Sequence, residues 1–193
     1  MNLVSDSAST EENFEARVSV SSVEETQAFA QQLGKILQRG DLLILTGELG
    51  AGKTTFTQGL GMGLGVREGI ISPTFVLSRI HPSLASGPSL VHVDAYRLAS
   101  AAEVDDLDLE ATMSSSVTVV EWGQGKVEQL DDSRLEVTLL RAGSVDLDEE
   151  LVFDFHEGED EEPRTIKLEA FGPRWAEGEV LSSLLHEFES SRK

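Results

Sequence analysis

The chain contains no cysteine, so neither a disulfide framework nor a cysteine-ligated zinc site is open to it. That absence fits a reducing compartment. No apolar run approaches the roughly 18 residues of a membrane-spanning helix. Met1 to Ala16 carries acidic residues and no basic one, unlike a secretory leader or an arginine-rich transit peptide. Together these absences predict a soluble, cytoplasmic chain with no membrane partner. Basic residues are scarce throughout: 15 Lys and Arg face 35 Asp and Glu, a formal net charge of −20. Phosphate backbones repel such a chain at long range, so direct DNA binding is not expected and any role in nucleic-acid chemistry would need a basic partner protein. The four histidines, His81, His92, His156 and His186, are scattered without metal-ligand spacing. No internal repeat is evident.

What is present organises around eight residues, Gly47-Glu48-Leu49-Gly50-Ala51-Gly52-Lys53-Thr54. They fit G-x-x-x-x-G-K-[ST], the phosphate-binding loop. Glycines let the backbone curl so that successive N–H groups face inward as an anion nest. The following helix turns its N-terminal amides to the same phosphates. In that pattern the lysine reaches the β- and γ-phosphates, and the Ser/Thr hydroxyl ligates Mg²⁺. The apolar run Leu42-Leu43-Ile44-Leu45 feeds the loop as a buried parallel strand. Behind the loop, Thr55 to Leu64 is predicted as a helix, with Phe56, Leu60 and Leu64 four apart. A local nest with a lysine and Mg²⁺ can hold a nucleotide in a chain of net negative charge, because nearby charges dominate a small site.

Its 193 residues suit one α/β domain. Residues 1–16 are expected to be a disordered acidic tail and 17–193 the domain. Arg17 to Val20 alternates as a short strand. Ser22-Val23-Glu24-Glu25 forms a capping box, opening a helix to about Gln38 with Phe29, Leu33, Ile36 and Leu37 buried and Gly40 as its stop. After the loop helix, Ser72-Pro73-Thr74 reads as a loop-to-strand junction leading into a strand from Phe75 to Ile80. His81 to Ser89 is turn-rich. Leu90 to Asp94 and Val117 to Glu121 are two strands that each end in a carboxylate, as strands beside a phosphate loop do when they hold Mg²⁺ or orient water. Trp122 follows the second. Ala101 to Leu109 is a short acidic helix. Arg134 to Leu140, Leu151 to Phe155 and Arg164 to Ala170 alternate as antiparallel strands, and Trp175 to Phe188 closes the chain as a helix with Val180, Leu181, Leu184, Leu185 and Phe188 on one side. Ten carboxylates and no basic residue lie between Ser144 and Glu162, which reads as a solvated loop or charged sheet edge.

Four blocks in order, GELGAGKTTF (Gly47–Phe56), SPTF (Ser72–Phe75), DAYRL (Asp94–Leu98) and VEW (Val120–Trp122), resemble those of the TsaE (YjeE) family. These are small bacterial ATPases that support formation of threonylcarbamoyladenosine in tRNA. The likeness covers Val18 to Leu140 well and the rest loosely. The loop alone is shared with many NTPases; the SPT, D-x-Y-R and E-W blocks are far more specific.

The resemblance implies a single phosphate-loop NTPase domain. Its central sheet would be mixed, mostly parallel and flanked by helices, with antiparallel strands in the C-terminal third. It implies nucleotide binding by Gly47, Leu49, Gly50, Ala51, Gly52, Lys53, Thr54 and Thr55, with Trp122 and Arg164 close by. Thr54 and Glu121 would hold Mg²⁺, and Asp94 with Lys53 would serve catalysis. Ser72, Pro73 and Thr74 would form a switch-like segment near the γ-phosphate. The acidic stretch at 144–162 is longer than the family pattern. The family function implies an accessory Mg²⁺-dependent ATPase acting on the TsaB–TsaD pair, with tRNA held by those partners. It is expected to be weak alone, with Arg79, Arg97 or a partner's arginine stabilising charge. Two other readings share the loop: a small-molecule or nucleoside kinase, and a nucleotide-dependent binding switch with little hydrolysis. No guanine-reading [NT]-K-x-D segment or LSGGQ-like signature occurs.

Overall fold

The computed structural model describes residues 14–141, 163–176 and 178–192. In chain order its elements are β1 (Phe14–Val20), α1 (Val23–Ile36), β2 (Leu42–Thr46), α2 (Lys53–Leu64), β3 (Ser78–His81) and β4 (Ser89–Asp94). They continue with α3 (Ala101–Asp105), α4 (Glu110–Met113), β5 (Ser116–Glu121), β6 (Arg134–Arg141), β7 (Arg164–Phe171) and α5 (Glu179–Ser191). Among the described residues seven strands form one sheet in the order β1-β7-β6-β2-β5-β4-β3. β2 pairs in parallel with both β5 and β6, and β4 in parallel with β5. β7 runs antiparallel to β6 and β1, and β3 antiparallel to β4. The sheet is therefore mixed and mostly parallel by strand direction, with helices against it.

Alternation along the central strands sorts side chains to two faces. Leu43 and Leu45 of β2, Val117 and Val119 of β5 and Leu90 of β4 join the core containing Phe29, Leu33, Phe56, Leu60, Leu181 and Phe188 from α1, α2 and α5. Leu42, Ile44, Val91, Val93 and Val120 join the opposite core with Val104, Leu109 and Met113 around α3 and α4. The same period places His92, Asp94 and Glu121 on the face that carries α2.

α1 and α2 approach almost backbone to backbone. A Cβ on Gly63 would lie 2.2 Å from the Gln31 carbonyl oxygen, and one on Gly59 2.5 Å from that of Gln27. Arg174 ties the C-terminal segment to this layer. Its Nε donates to Asp41 Oδ1 at 3.0 Å and its Nη2 to the Ile36 carbonyl at 3.1 Å.

Several sequence expectations are corrected. β1 starts at Phe14, inside the expected tail. In the capping box Ser22 Oγ accepts from Glu25 N at 3.2 Å, but Glu25 reaches back to the Ser21 amide, at 2.8 Å. α1 ends at Ile36 because Leu37 turns extended and Asp41 Oδ2 takes the Gln38 amide. The strand expected over Phe75–Ile80 begins only at Ser78, since the Pro73 carbonyl accepts from both Val76 N and Leu77 N and closes a turn. The helix expected over Ala101–Leu109 ends at Asp105, and Asp108, at φ 48°, lies in the turn between it and α4. The closing helix starts at Glu179 rather than Trp175, after Gly178 adopts a left-handed conformation, and Val180 faces solvent. The expected strand Leu151–Phe155 and the acidic stretch 144–162 lie outside the described residues, as does the tail before Phe14.

Candidate functional site

The glycine loop joins β2 to α2 at the carboxyl edge of the parallel strands, where open α/β sheets bind ligands. Gly52 sits at φ 101°, a conformation suited to glycine, and caps α2 without a side chain. Gly47 packs directly on β6: a Cβ there would meet the Leu139 carbonyl oxygen at 2.5 Å. The first helical hydrogen bond runs from Phe56 N to the Gly52 carbonyl at 2.8 Å. The amides of Lys53, Thr54 and Thr55 precede that ladder and are left for a ligand.

A cleft of about 470 Å³ opens beside the loop. Leu49, Gly50, Gly52, Lys53, Thr54 and Thr55 line one side, and Ser72, Thr74, Asp94, Tyr96, Glu121 and Trp122 the other. Ala51 is buried beneath the loop and Pro73 beneath the switch-like segment. The structure thus brings the loop, both carboxylates, the tryptophan and the two hydroxyls of Ser72-Pro73-Thr74 to one place.

Lys53 is buried, and its Nζ donates to the carbonyl oxygens of Gly47 at 2.7 Å and Glu48 at 2.8 Å. It also lies 3.7 Å from the centroid of the Trp122 ring. Burial lowers its pKa to about 8, against the opposing pull of the Glu121, Asp94 and Glu48 carboxylates. Trp122 itself has φ 61°, unusual for a large aromatic residue. Its amide is bonded to Leu45 O at 2.9 Å and its ring packs on Tyr96, 5.1 Å between centroids. These contacts hold a strained backbone at the mouth of the cleft.

The carboxylates differ in their surroundings. Asp94 and Glu121 are register partners on β4 and β5. Glu121 accepts from Thr54 Oγ1, 3.0 Å to Oε1 and 3.3 Å to Oε2, and from His92 Nε2 at 2.8 Å to Oε1. Asp94 Oδ2 accepts from Thr74 Oγ1 at 2.5 Å and Ser72 Oγ at 3.0 Å, while Oδ1 accepts the Tyr96 amide at 3.0 Å. Asp94 therefore ties down the Ser72-Pro73-Thr74 segment.

Thr54 and Glu121 form a hard-oxygen pair suited to a divalent cation. Among the described residues no group of three or more His, Cys, Asp or Glu could hold a metal by itself. Mg²⁺ takes one or two protein oxygens and completes its shell with phosphate and water.

Arg164, at the start of β7, has a buried Nε without a partner, 3.9 Å from where a Cβ on Gly52 would be. Arg79 and Arg97 are exposed and do not line the cleft. Two residues were missed by the sequence reading. His92 reaches Glu121 across strands, with only period-two alternation with Asp94 as a clue. Tyr96 lines the cleft and packs on Trp122, inside a motif whose other residues drew the attention.

A phosphate loop at the carboxyl edge of a mixed sheet, with a carboxylate from each of two neighbouring strands, defines a phosphate-loop α/β protein of the nucleotide-binding kind. A family model described as threonylcarbamoyl adenosine biosynthesis protein TsaE matches residues 20–147. The chain belongs to the TsaE family. It is 50% identical over 151 residues to the tRNA threonylcarbamoyladenosine biosynthesis protein TsaE of Streptomyces coelicolor, covering 78% of this chain and 93% of that one. It is 40% identical over 121 residues to the protein of the same name in Bacillus subtilis, covering 62% and 74%. The crystal structure of Bacillus subtilis YdiB superposes with a TM-score of 0.63 at 28% identity, covering 94% of this chain and 98% of that one. The family is one of tRNA threonylcarbamoyladenosine biosynthesis. Among the described residues no helix is long and apolar enough to cross a membrane.

Proposed function

We propose that this protein binds and hydrolyses ATP with Mg²⁺, acting in the cytoplasm as an accessory to threonylcarbamoyladenosine modification of tRNA, on a TsaB–TsaD pair. The observation that carries the reading is the convergence of Lys53, Thr54 and Glu121 on one phosphate loop. The loop amides and Lys53 hold the triphosphate, with one Lys53 N–H left over from its two carbonyl bonds. Thr54 and Glu121 would hold Mg²⁺, which would supply positive charge against the phosphates. Trp122 closes the mouth and limits water. Arg164 approaches from beneath Gly52 and adds positive charge.

Asp94 orients the attacking water only after it gives up its present donors. Departure of Ser72 and Thr74 towards the γ-phosphate frees Oδ2 for that task, so segment movement and readiness for hydrolysis are coupled. The latched carboxylate also favours a second reading, in which the protein is a nucleotide-controlled binding switch with negligible turnover. Leu49, Phe75, Val76 and Tyr96 stand exposed around the cleft, Phe75 to 90%. Such an apolar rim suits a docked protein. The charge of −20 leaves tRNA to the partners.

The test is calorimetric titration of ATP with Mg²⁺ into the parent and the Lys53→Ala variant. Lys53→Ala is expected to abolish turnover and to weaken binding by at least tenfold, the loss of about 1.4 kcal/mol or more expected for a charge-assisted phosphate contact. Unchanged binding and turnover in a folded variant would sink the assignment.

A further inference from the structure

His92 lies wholly buried on β4, two residues before Asp94 on the same face of the sheet. Its Nε2 is 2.8 Å from Glu121 Oε1, the shortest of the contacts on that carboxylate. Its other ring nitrogen, Nδ1, is buried without any partner. A neutral ring donating from Nε2 leaves only a bare lone pair at Nδ1. The opposite tautomer would bury an unmet N–H and set a lone pair against a carboxylate, which costs far more. The geometry therefore assigns the proton to Nε2 and makes His92 a fixed donor to Glu121. His81 packs beside it, with ring centroids 6.2 Å apart, and limits the ring's freedom.

The consequence concerns the carboxylate's orientation. Thr54 and His92 together tie down Oε1, whereas Oε2 has only the longer Thr54 contact at 3.3 Å. We infer that His92 is a positioning residue for Glu121: it holds Oε1 and leaves Oε2 as the freer oxygen for a metal ion shared with Thr54. Groups that orient a metal-binding side chain in this way raise metal affinity by about 10- to 100-fold. The inference rests on the Mg²⁺ reading proposed above.

The experiment compares ATP affinity in EDTA and across a Mg²⁺ titration for the parent protein, His92→Phe and His92→Gln. Phenylalanine keeps a ring and removes the donor; glutamine restores an amide donor of similar reach. The expected result for His92→Phe is an increase of about tenfold in the Mg²⁺ needed for half-maximal enhancement of ATP binding. Metal-free ATP affinity should be unchanged, and His92→Gln should recover most of the loss. An unshifted Mg²⁺ requirement in His92→Phe overturns the inference while leaving the Mg²⁺ reading intact. A parallel fall in metal-free affinity, or no recovery with glutamine, reduces His92 to a packing residue and overturns it as well. If the parent shows no Mg²⁺ enhancement, the metal reading fails and the inference falls with it. Should the variants not fold, nitrogen NMR of histidine-labelled parent protein decides: an Nε2–H tautomer at His92 supports the inference, and an Nδ1–H tautomer overturns it.

Discussion

Lys53 shows how one residue's surroundings set a measurable property. Burial lowers its pKa to about 8 in the free protein. A bound triphosphate favours the charged ammonium, so the pKa in the complex is higher than in the free chain. Between the two values the complex holds more protons than its separated components. Binding therefore takes up a proton there, and affinity is full below about pH 8 and falls above it. Calorimetry from about pH 7 to about pH 9.5 should show a loss approaching tenfold per unit above the break, with heats that depend on the buffer's ionisation enthalpy. A flat profile would contradict the placement of Lys53 against the phosphates. At this scale the loop was legible in the sequence because all its determinants are local: Gly52 needs its left-handed turn, and Lys53 and Thr54 follow directly. The hydrogen bond between His92 and Glu121 spans 29 positions along the chain and exists only because β4 and β5 are neighbours. Nothing in the spacing of the histidines reveals it.

Helices α1 and α2 meet through glycine, and this contact fixes the helix that carries Lys53 and Thr54. Replacing Gly63 by alanine tests which of two effects wins. Alanine favours the helical state by about 0.5–1 kcal/mol. Its methyl carbon would fall 2.2 Å from the Gln31 carbonyl oxygen, a backbone atom that cannot swing away. Overpacking of this kind costs about 1–3 kcal/mol, so Gly63→Ala should destabilise the protein on balance. Chemical denaturation with an unchanged slope should report the loss, and a rise in midpoint would refute the close approach. The elements themselves were largely readable from periodicity. β2, β4 and β5 are short apolar runs, and the buried residues of α1 and α2 recur every three or four positions. Phe75 misled because an aromatic residue next to valine favours a strand, whereas the Pro73 carbonyl captures two amides and turns the chain outward. The start of α5 was misplaced for a related reason: Trp175 is buried, but in the turn before the helix. The antiparallel pairing of β6 with β7 was expected from their alternation, whereas the parallel pairing of β6 with β2 was not.

The whole molecule carries a charge of −20 and presents apolar side chains around its cleft. The first property predicts that the isolated chain does not bind tRNA, even at low ionic strength, where any electrostatic attraction is strongest. A filter-binding assay showing a salt-sensitive complex with tRNA would contradict it. On the proposed function, the second property, with Asp94 held by Ser72 and Thr74, would make activity depend on a partner seated over the rim. The direct measurement is ATP turnover by the chain alone, and again with TsaB, TsaD and tRNA added. The account predicts slow hydrolysis alone, a large stimulation in the assembled complex, and loss of both with Lys53→Ala. Phosphate passed to a metabolite instead of water, or full hydrolysis by the isolated chain with no response to the partners, would contradict it.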